Sequence, residues 1–231
     1  MFSRRSQRRG PRASRWAVAV AAMLVTAGWF GAVAPFAPAP AAGAPSAAPA
    51  GPVRFAIVPD ESTVTYRVGE TFVTGNRYNL AVGTTHAVSG DVYVDRAHPQ
   101  ASRVGPVTVD ISTFRTDNPR RDDAIRHRWL ESSTYPTAVF TCNSIRGLPA
   151  VFVNGLEVPV QLSGDLRVRT VTKPVVFSGT VTLSGNRLSG RLQTSILMTD
   201  FGFDPPSILG ALKAEDQAQL EIQFTARPPE G

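Results

Sequence analysis

Strict alternation of apolar and polar residues runs through most of the chain after Arg54, and it limits the fold more than any other feature. Val64, Tyr66 and Val68, for example, are separated by polar neighbours. Since successive side chains of a β-strand point to opposite faces, this period of two is typical of half-buried strands. About eight such segments follow at short, even spacing, which favours an antiparallel sandwich or barrel. A barrel of about eight strands can be packed solid or can hold one small ligand, and alternation does not decide between these interiors.

Turn signals separate the later strands. Asn154-Gly155 stands between two apolar runs and predicts a hairpin with a two-residue type I′ turn. Ser184-Gly185-Asn186 predicts a second turn between two longer strands. The segment 70–87 shows no familiar pattern and is expected to be a loop.

One short helix is predicted between the strands, beginning at Asn118 and ending near Glu131. The Asn118 side chain can accept a hydrogen bond from the free amides of the first turn, and Pro119 needs no amide donor at the first helical position. Ile125 and Trp129 are four residues apart and share one apolar face. The helix is therefore expected to lie against the sheet or to cap one end of a barrel.

The N-terminus is predicted to be an export signal. Residues 1–15 form a basic n-region, and residues 16–34 have no charged side chain and reach roughly 28 Å as a helix, close to the thickness of a bilayer core. This helix is either an uncleaved signal anchor or a signal peptide cleaved at the A-x-A-like site 39–41. Residues 35–53 are an Ala/Pro-rich, disordered linker, and residues 54–227 are the barrel. Because basic residues stay in the cytoplasm, the barrel is expected to be extracytoplasmic: anchored to the plasma membrane by this helix, or secreted or periplasmic after cleavage.

The net charge of +6 originates in the same N-terminus. Six of the 24 basic residues are arginines that precede Trp16, and the rest of the chain has 18 basic against 18 acidic residues. The folded part thus has no basic excess that could bind phosphates, which excludes nucleic acid as a partner.

Residues that could carry catalysis are scattered: His86, His98, His127, Cys142, Asp110 and the pair Arg121-Asp122. The histidines lack metal-ligand spacing, and no catalytic triad or phosphate-binding glycine loop is present. His127 is expected to form a surface pair with Asp123, and Arg121-Asp122 is interpreted as a salt-bridged helix start. We predict that the chain is not an enzyme and has no metal site.

Three blocks of residues match a known family in the family's order: Ser112 to Asn118 followed by Arg121-Asp122, Ile125, Trp129-Leu130, Tyr135-Pro136 and Phe140; Ser163 to Leu166 with Thr172 to Val175; and Asp200-Phe201-Gly202. On these motifs the segment 54–227 resembles the YceI-like proteins, lipocalin-like barrels that bind polyisoprenoids and related long-chain lipids. The resemblance implies an all-β, about eight-stranded antiparallel barrel with one short helix between strands. The chain departs from the family at Thr170, where Gly is usual, and at Leu197-Met198, where Asn-Arg is usual, so the interior near Met198 is expected to be more apolar.

The resemblance also implies a non-catalytic carrier or storage function for an isoprenoid, a quinone or a fatty-acyl lipid, with no other cofactor. The expected partners are this lipid and the plasma membrane, and a homodimer supported by the helix around Trp129 is allowed. The predicted ligand-binding residues are Val92, Val109, Ile111, Phe114, Trp129, Phe140, Leu166, Phe177, Leu192, Ile196, Met198, Phe201 and Phe224. The alternative is an extracytoplasmic stress-response or protein-interaction domain with a solid barrel core and no ligand.

Overall fold

The structure, a computed structural model, describes residues 51–208 and 211–229. The predicted n-region, the hydrophobic helix and the linker up to residue 50 lie outside the described residues. Within the described ranges, no helix is both long and apolar enough to cross a membrane.

In these two ranges, thirteen antiparallel strands form one curled sheet, a half-barrel accompanied by one short helix. The strands are β1 Val53–Ile57, β2 Thr63–Phe72, β3 Arg77–Thr85, β4 Val88–Ser89, β5 Asp91–Val94, β6 Arg103–Val104, β7 Val107–Asp110, β8 Thr137–Arg146, β9 Glu157–Val168, β10 Val171–Ser184, β11 Arg187–Leu197, β12 Ser207–Ile208 and β13 Leu212–Arg227. The all-β class is confirmed, but the strand count exceeds the expected eight. Eight strands have five or more residues, and the extra five are segments of two to four residues.

Strand β13 is the hub of the sheet. On one side it pairs with β11, and on the other with β2 and, at its end, with β1. The path runs β4-β7-β8-β9-β10-β11-β13-β1-β5-β6, while β2 and β3 branch from β13. Register shifts in β8, between Cys142 and Ser144, and in β13, between Ala214 and Ala218, add to the twist that curls the sheet.

The predicted helix is present over residues 119–129, but its second half is not α-helical. Helix α1 spans Pro119–Ala124, and the Asn118 side chain accepts from the Arg120 amide at 3.0 Å, as an N-cap does. The next five residues, Ile125–Trp129, form a π-helical turn, in which the Leu130 amide donates to the Ile125 carbonyl at 3.1 Å.

Both predicted turns are present, and one of them joins two directly paired strands as a tight hairpin. Strands β10 and β11 pair up to Ser184 and Arg187, across the expected Gly185-Asn186 turn. At Asn154-Gly155 the turn is present, since the Leu156 amide donates to the Val153 carbonyl at 3.1 Å, but the tight type I′ hairpin is wrong. The turn lies within the loop 147–156 between β8 and β9, and Gly155 has a positive φ whereas Asn154 does not. The Asn154 side chain instead accepts from the Gly185 amide at 2.6 Å, which fastens this loop to the neighbouring turn.

The expected loop 70–87 is largely a hairpin of β2 and β3. Its pattern is inverted: Leu80 and Val82 face outwards, whereas Ala81 and Gly83 face inwards. The far edge of β3 is connected to the segment after β7 through two backbone hydrogen bonds between Thr84 and Arg115, at 2.9 and 3.0 Å.

Candidate ligand-binding cavity

A cavity of about 240 Å³ lies inside the curl of the sheet. Its wall is almost entirely aliphatic and aromatic, and residues of the π-helical turn contribute to it alongside the strands. Twelve of the thirteen predicted ligand-binding residues line it: Val92, Val109, Ile111, Phe114, Trp129, Phe140, Leu166, Phe177, Leu192, Ile196, Met198 and Phe224. The sequence therefore predicted these twelve side chains of the wall, while their contact with a ligand stays a prediction.

Phe201 is the predicted residue that the structure places elsewhere. It ends the 3₁₀ turn Thr199–Phe201, is 2% exposed and packs in the main hydrophobic core, and it is not among the cavity-lining residues. An aromatic residue that lines a cavity and one that packs only against other side chains show the same sequence pattern. The sequence therefore could not distinguish Phe201 from the residues of the cavity wall.

On β3 the inward-facing residues are small: Ala81 lines the cavity, and Gly83 makes room for a neighbouring ring. Gly83 lies opposite Tyr66 of β2, and a Cβ atom at Gly83 would overlap the Tyr66 ring. The ring instead occupies that space and meets Phe114 edge-to-face, with centroids 5.0 Å apart. Small inward residues on β3 thus leave room both for Tyr66 and for the cavity beside it.

A buried ion pair forms one polar part of the wall, and the sequence did not predict it. Glu70 of β2 and Arg121 of α1 both line the cavity, with Nη2 of Arg121 donating to Oε2 of Glu70 at 3.0 Å. The amide of Asn79 donates to the same Oε2 at 3.1 Å, and the second arm of Arg121 reaches Asp117 at 2.5 Å. Burial by itself lowers the pKa of Arg121, but the two carboxylates outweigh it and the pKa is raised, so the guanidinium stays charged.

Arg121 therefore does not pair with Asp122, contrary to the interpretation from sequence. Asp122 is buried, and its Oδ1 accepts from the amide and the hydroxyl of Thr116 at 3.0 and 2.7 Å. This carboxylate closes the loop that leads into α1. Of the two partners of Arg121, the exposed Asp117 is four residues away in sequence, whereas the buried Glu70 is 51 residues away, so local spacing held no signal for Glu70.

The Tyr66 hydroxyl is buried and has no hydrogen-bond partner among the described residues. A buried polar group without a partner costs roughly 1–3 kcal/mol. Burial raises the pKa of Tyr66 above its ordinary value, with nearby carboxylates adding to this effect and Arg121 opposing it. The hydroxyl consequently stays protonated and is available as a donor.

Three of the residues considered for catalysis, His127, Asp110 and Cys142, have surroundings that account for them without a reaction. Nε2 of His127 lies 3.5 Å from the Asp123 carboxylate at the surface, as expected. Asp110 caps the 3₁₀ turn Ile111–Thr113 by accepting from Ser112. Burial raises the pKa of the Cys142 thiol, which disfavours the thiolate. In residues 51–208 and 211–229, no group of three or more His, Cys, Asp or Glu side chains could hold a metal ion.

A second cavity of about 60 Å³ shares part of the wall of the first. The shared residues are Val92, Val104, Leu162, Leu192 and Phe224. These five side chains therefore border both apolar voids.

Comparisons with curated proteins identify distant relatives. A UPF0312 protein of Ectopseudomonas mendocina is 32% identical over 102 residues, which are 44% of this chain and 49% of that protein. A UPF0312 protein of Pseudomonas putida is 26% identical over 136 residues, 56% of this chain and 67% of that protein. The chain thus spans about half the length of the first of these relatives.

Solved structures share the fold. BcnA from Burkholderia cenocepacia aligns with a TM-score of 0.55 at 18% identity, over 73% of this chain and 98% of that one. A polyisoprenoid binding domain from Saccharophagus degradans aligns with a TM-score of 0.56 at 15% identity, over 77% and 99%. The sequence profile of the YceI-like domain matches residues 55–226, well over half of the chain. The chain therefore belongs to the YceI-like family.

Proposed function

We propose that the cavity binds the apolar chain of a long-chain isoprenoid or related lipid, and that the protein is a non-catalytic carrier or storage module. The observation that carries this proposal is a void of about 240 Å³ with an almost wholly apolar wall. An apolar cavity of roughly 150 Å³ is large enough to bind benzene, so this one has room for a larger hydrocarbon segment. Each buried methylene contributes about 0.8 kcal/mol, so a tail binds without any catalytic group.

The second cavity extends the argument to longer chains. Because it shares five wall residues with the first, a long chain would displace those side chains and continue into it. Leu192 lies in the shared wall and is 4% exposed. The size of the side chain at position 192 should therefore set the length of the lipid chain that the two cavities accept.

The fold relatives support the same reading, since one of the aligned structures is described as a polyisoprenoid binding domain. The location is part of the proposal: the basic n-region and the uncharged segment 16–34 support an extracytoplasmic domain beside the plasma membrane. A lipid carrier is suited to that place, because its cargo resides in the adjacent bilayer.

A stress-response or protein-interaction domain with a solid interior is the competing function. Its defining feature, a filled core, conflicts with the observed void. A hydrolytic function has less support, since the polar residues of the cavity wall include no nucleophile–base pair.

Binding is tested with the delipidated full chain and a fluorescent prenyl probe. We expect saturable, one-to-one uptake by the wild type and by Leu197→Trp, whose side chain is exposed on the same strand. Leu192→Trp should lose the uptake, because the new ring would occupy the wall shared by both cavities. Leu192→Ala should accept longer chains than the wild type. Equal binding by all four proteins, or none by the wild type, would contradict the proposal.

A further inference from the structure

The loop 147–156, which connects β8 to β9, carries an exposed apolar patch. None of the residues in this loop is charged. Val151 is 69% exposed, and Val153 and Leu156 are each more than half exposed. Single exposed apolar side chains are common on soluble proteins, but a group of three in one short uncharged loop is typical of an interaction site.

The same loop covers the second cavity. Leu148 and Phe152 line that cavity, and Val153 and Leu156 line it as well although they are exposed. At these two residues a single layer of side chains lies between the cavity and the surroundings of the protein. Because the second cavity shares its wall with the first, the patch lies at one end of the proposed lipid site.

Hydrogen bonds fix the loop in this position. Nε2 of Gln100 donates to the Leu148 carbonyl at 2.7 Å, and the Gly155 amide donates to the Leu183 carbonyl at 2.8 Å. The patch is therefore presented by a backbone that is already ordered, so a partner that covers it does not have to order the loop first.

Exposed arginines flank the patch. Arg146 directly precedes the loop, and Arg103 lies between two residues of the second cavity's wall. Arg96 donates to a carbonyl of the turn 184–187, to which the loop is fastened. Glu157, directly after the loop, is an exposed carboxylate beside these three cations. An apolar patch with a basic margin is complementary to a bilayer surface that contains anionic lipids.

We propose that the loop 147–156 docks on the surface of an anionic bilayer, and that the lipid chain enters the second cavity beneath it. This rests on the proposed function, because it names the place where the cargo leaves the membrane. Val151, Val153 and Leu156 lose contact with water on docking, and each flanking arginine contributes roughly fivefold through its attraction to the leaflet. Docking is shallow, because the polar backbone groups of an irregular loop have no partners in the hydrocarbon core.

The test measures the local environment of the loop, because the uncharged segment 16–34 is able to hold the full chain on any vesicle. An environment-sensitive fluorophore is attached through Val151→Cys in a Cys142→Ala background. Val73→Cys, labelled in the same way, is the matched control, because Val73 is 57% exposed in the turn between β2 and β3. The vesicles consist of phosphatidylcholine, with or without about one-third phosphatidylglycerol, and contain a nitroxide-labelled lipid as the quencher.

Nitroxide lipid should quench the label at position 151, and the label at position 73 should stay in water. The ratio of docked to free loop should be at least about tenfold higher in the vesicles that contain phosphatidylglycerol. Arg146→Gln should lower this ratio by about fivefold. Arg167→Gln, which removes an exposed charge at the far end of β9, should leave it unchanged.

Uptake of a fluorescent prenyl probe from the same vesicles tests the entry route. Val151→Asp places a charge in the patch without changing the wall, because Val151 lines neither cavity. This variant should take up the probe about tenfold more slowly than the wild type, with an unchanged equilibrium affinity for the probe in solution. Val73→Asp should match the wild type in both measurements.

The possible failures separate the two proposals. Absence of quenching at position 151, equal quenching at positions 151 and 73, or uptake by Val151→Asp at the wild-type rate would overturn docking by this loop and leave the tail site intact. Quenching at position 151 without any binding of the probe would instead remove the proposed function, and the entry route with it.

Discussion

Replacing Arg121 by Met removes the cation beside the cavity while its partner Glu70 stays buried. The two side chains are 13% and 6% exposed, so solvent screens this pair far less than a surface ion pair. Removing one member of a buried pair typically costs about 3–5 kcal/mol, chiefly because the other charge is left uncompensated. Asn79 still donates to Glu70 at 3.1 Å, so we expect the lower end, about 3 kcal/mol.

The double variant Arg121→Met/Glu70→Gln separates the ion pair from the packing around it. With both charges gone, no buried charge is left unpaired, and the free energy of unfolding should recover to within about 1 kcal/mol of the wild type. The coupling energy between the two positions is then at least about 2 kcal/mol, because any cost of Glu70→Gln alone adds to it, and this is well above the error of such cycles. Arg120→Met, an exposed neighbour on the same helix, should change stability by less than about 0.5 kcal/mol.

Urea unfolding with linear extrapolation measures these free energies, and thermal unfolding provides a second measure. For a domain of this size, a loss of about 3 kcal/mol lowers Tm by roughly 6–12 °C. Additive effects of Arg121→Met and Glu70→Gln, each below about 1 kcal/mol, would refute the claim that this pair is buried and coupled.

Three further outcomes are expected. Ala81→Leu adds methylenes to a cavity-lining position, so it should weaken binding of a prenyl probe while it keeps or raises Tm, and unchanged affinity would count against the assigned wall. Gly83→Ala should cost about 1–3 kcal/mol in urea unfolding because its methyl group overlaps the Tyr66 ring; a neutral result would show that the ring is not held there. Hydrogen bonds from the Thr199 hydroxyl and amide lower the pKa of Asp216, so Thr199→Val should raise that pKa in an NMR titration. Because a lowered carboxyl pKa stabilises the folded state above the ordinary pKa of Asp and the gain is lost as pH falls through the folded value, the two proteins should converge in stability in acid.

Local signals in the sequence were sufficient for the start of the helix and for twelve of the side chains that line the cavity. Asn118 and Pro119 identified where α1 begins, because capping depends on neighbours in the chain. Alternation identified inward residues such as Val109 and Leu192, since both faces of a strand can be told apart by polarity. The ion pair between Glu70 and Arg121 could not be predicted from the sequence, because only the curling of the sheet brings β2 and α1 together.

Strand β3 shows why the cavity could not be predicted from the alternation of apolar and polar residues. Alternation distinguishes two faces, but it assumes that the apolar face is the inner one, and in β3 the exposed residues are Leu80 and Val82. A shift by one residue would turn these side chains into the cavity and fill it, and would place Ala81 and Gly83 on the surface. The pairing of Tyr66 with Gly83 opposes that shift, since Gly83 is where the Tyr66 ring fits. The open interior and the apolar outer stripe of β3 are thus two consequences of a single strand register.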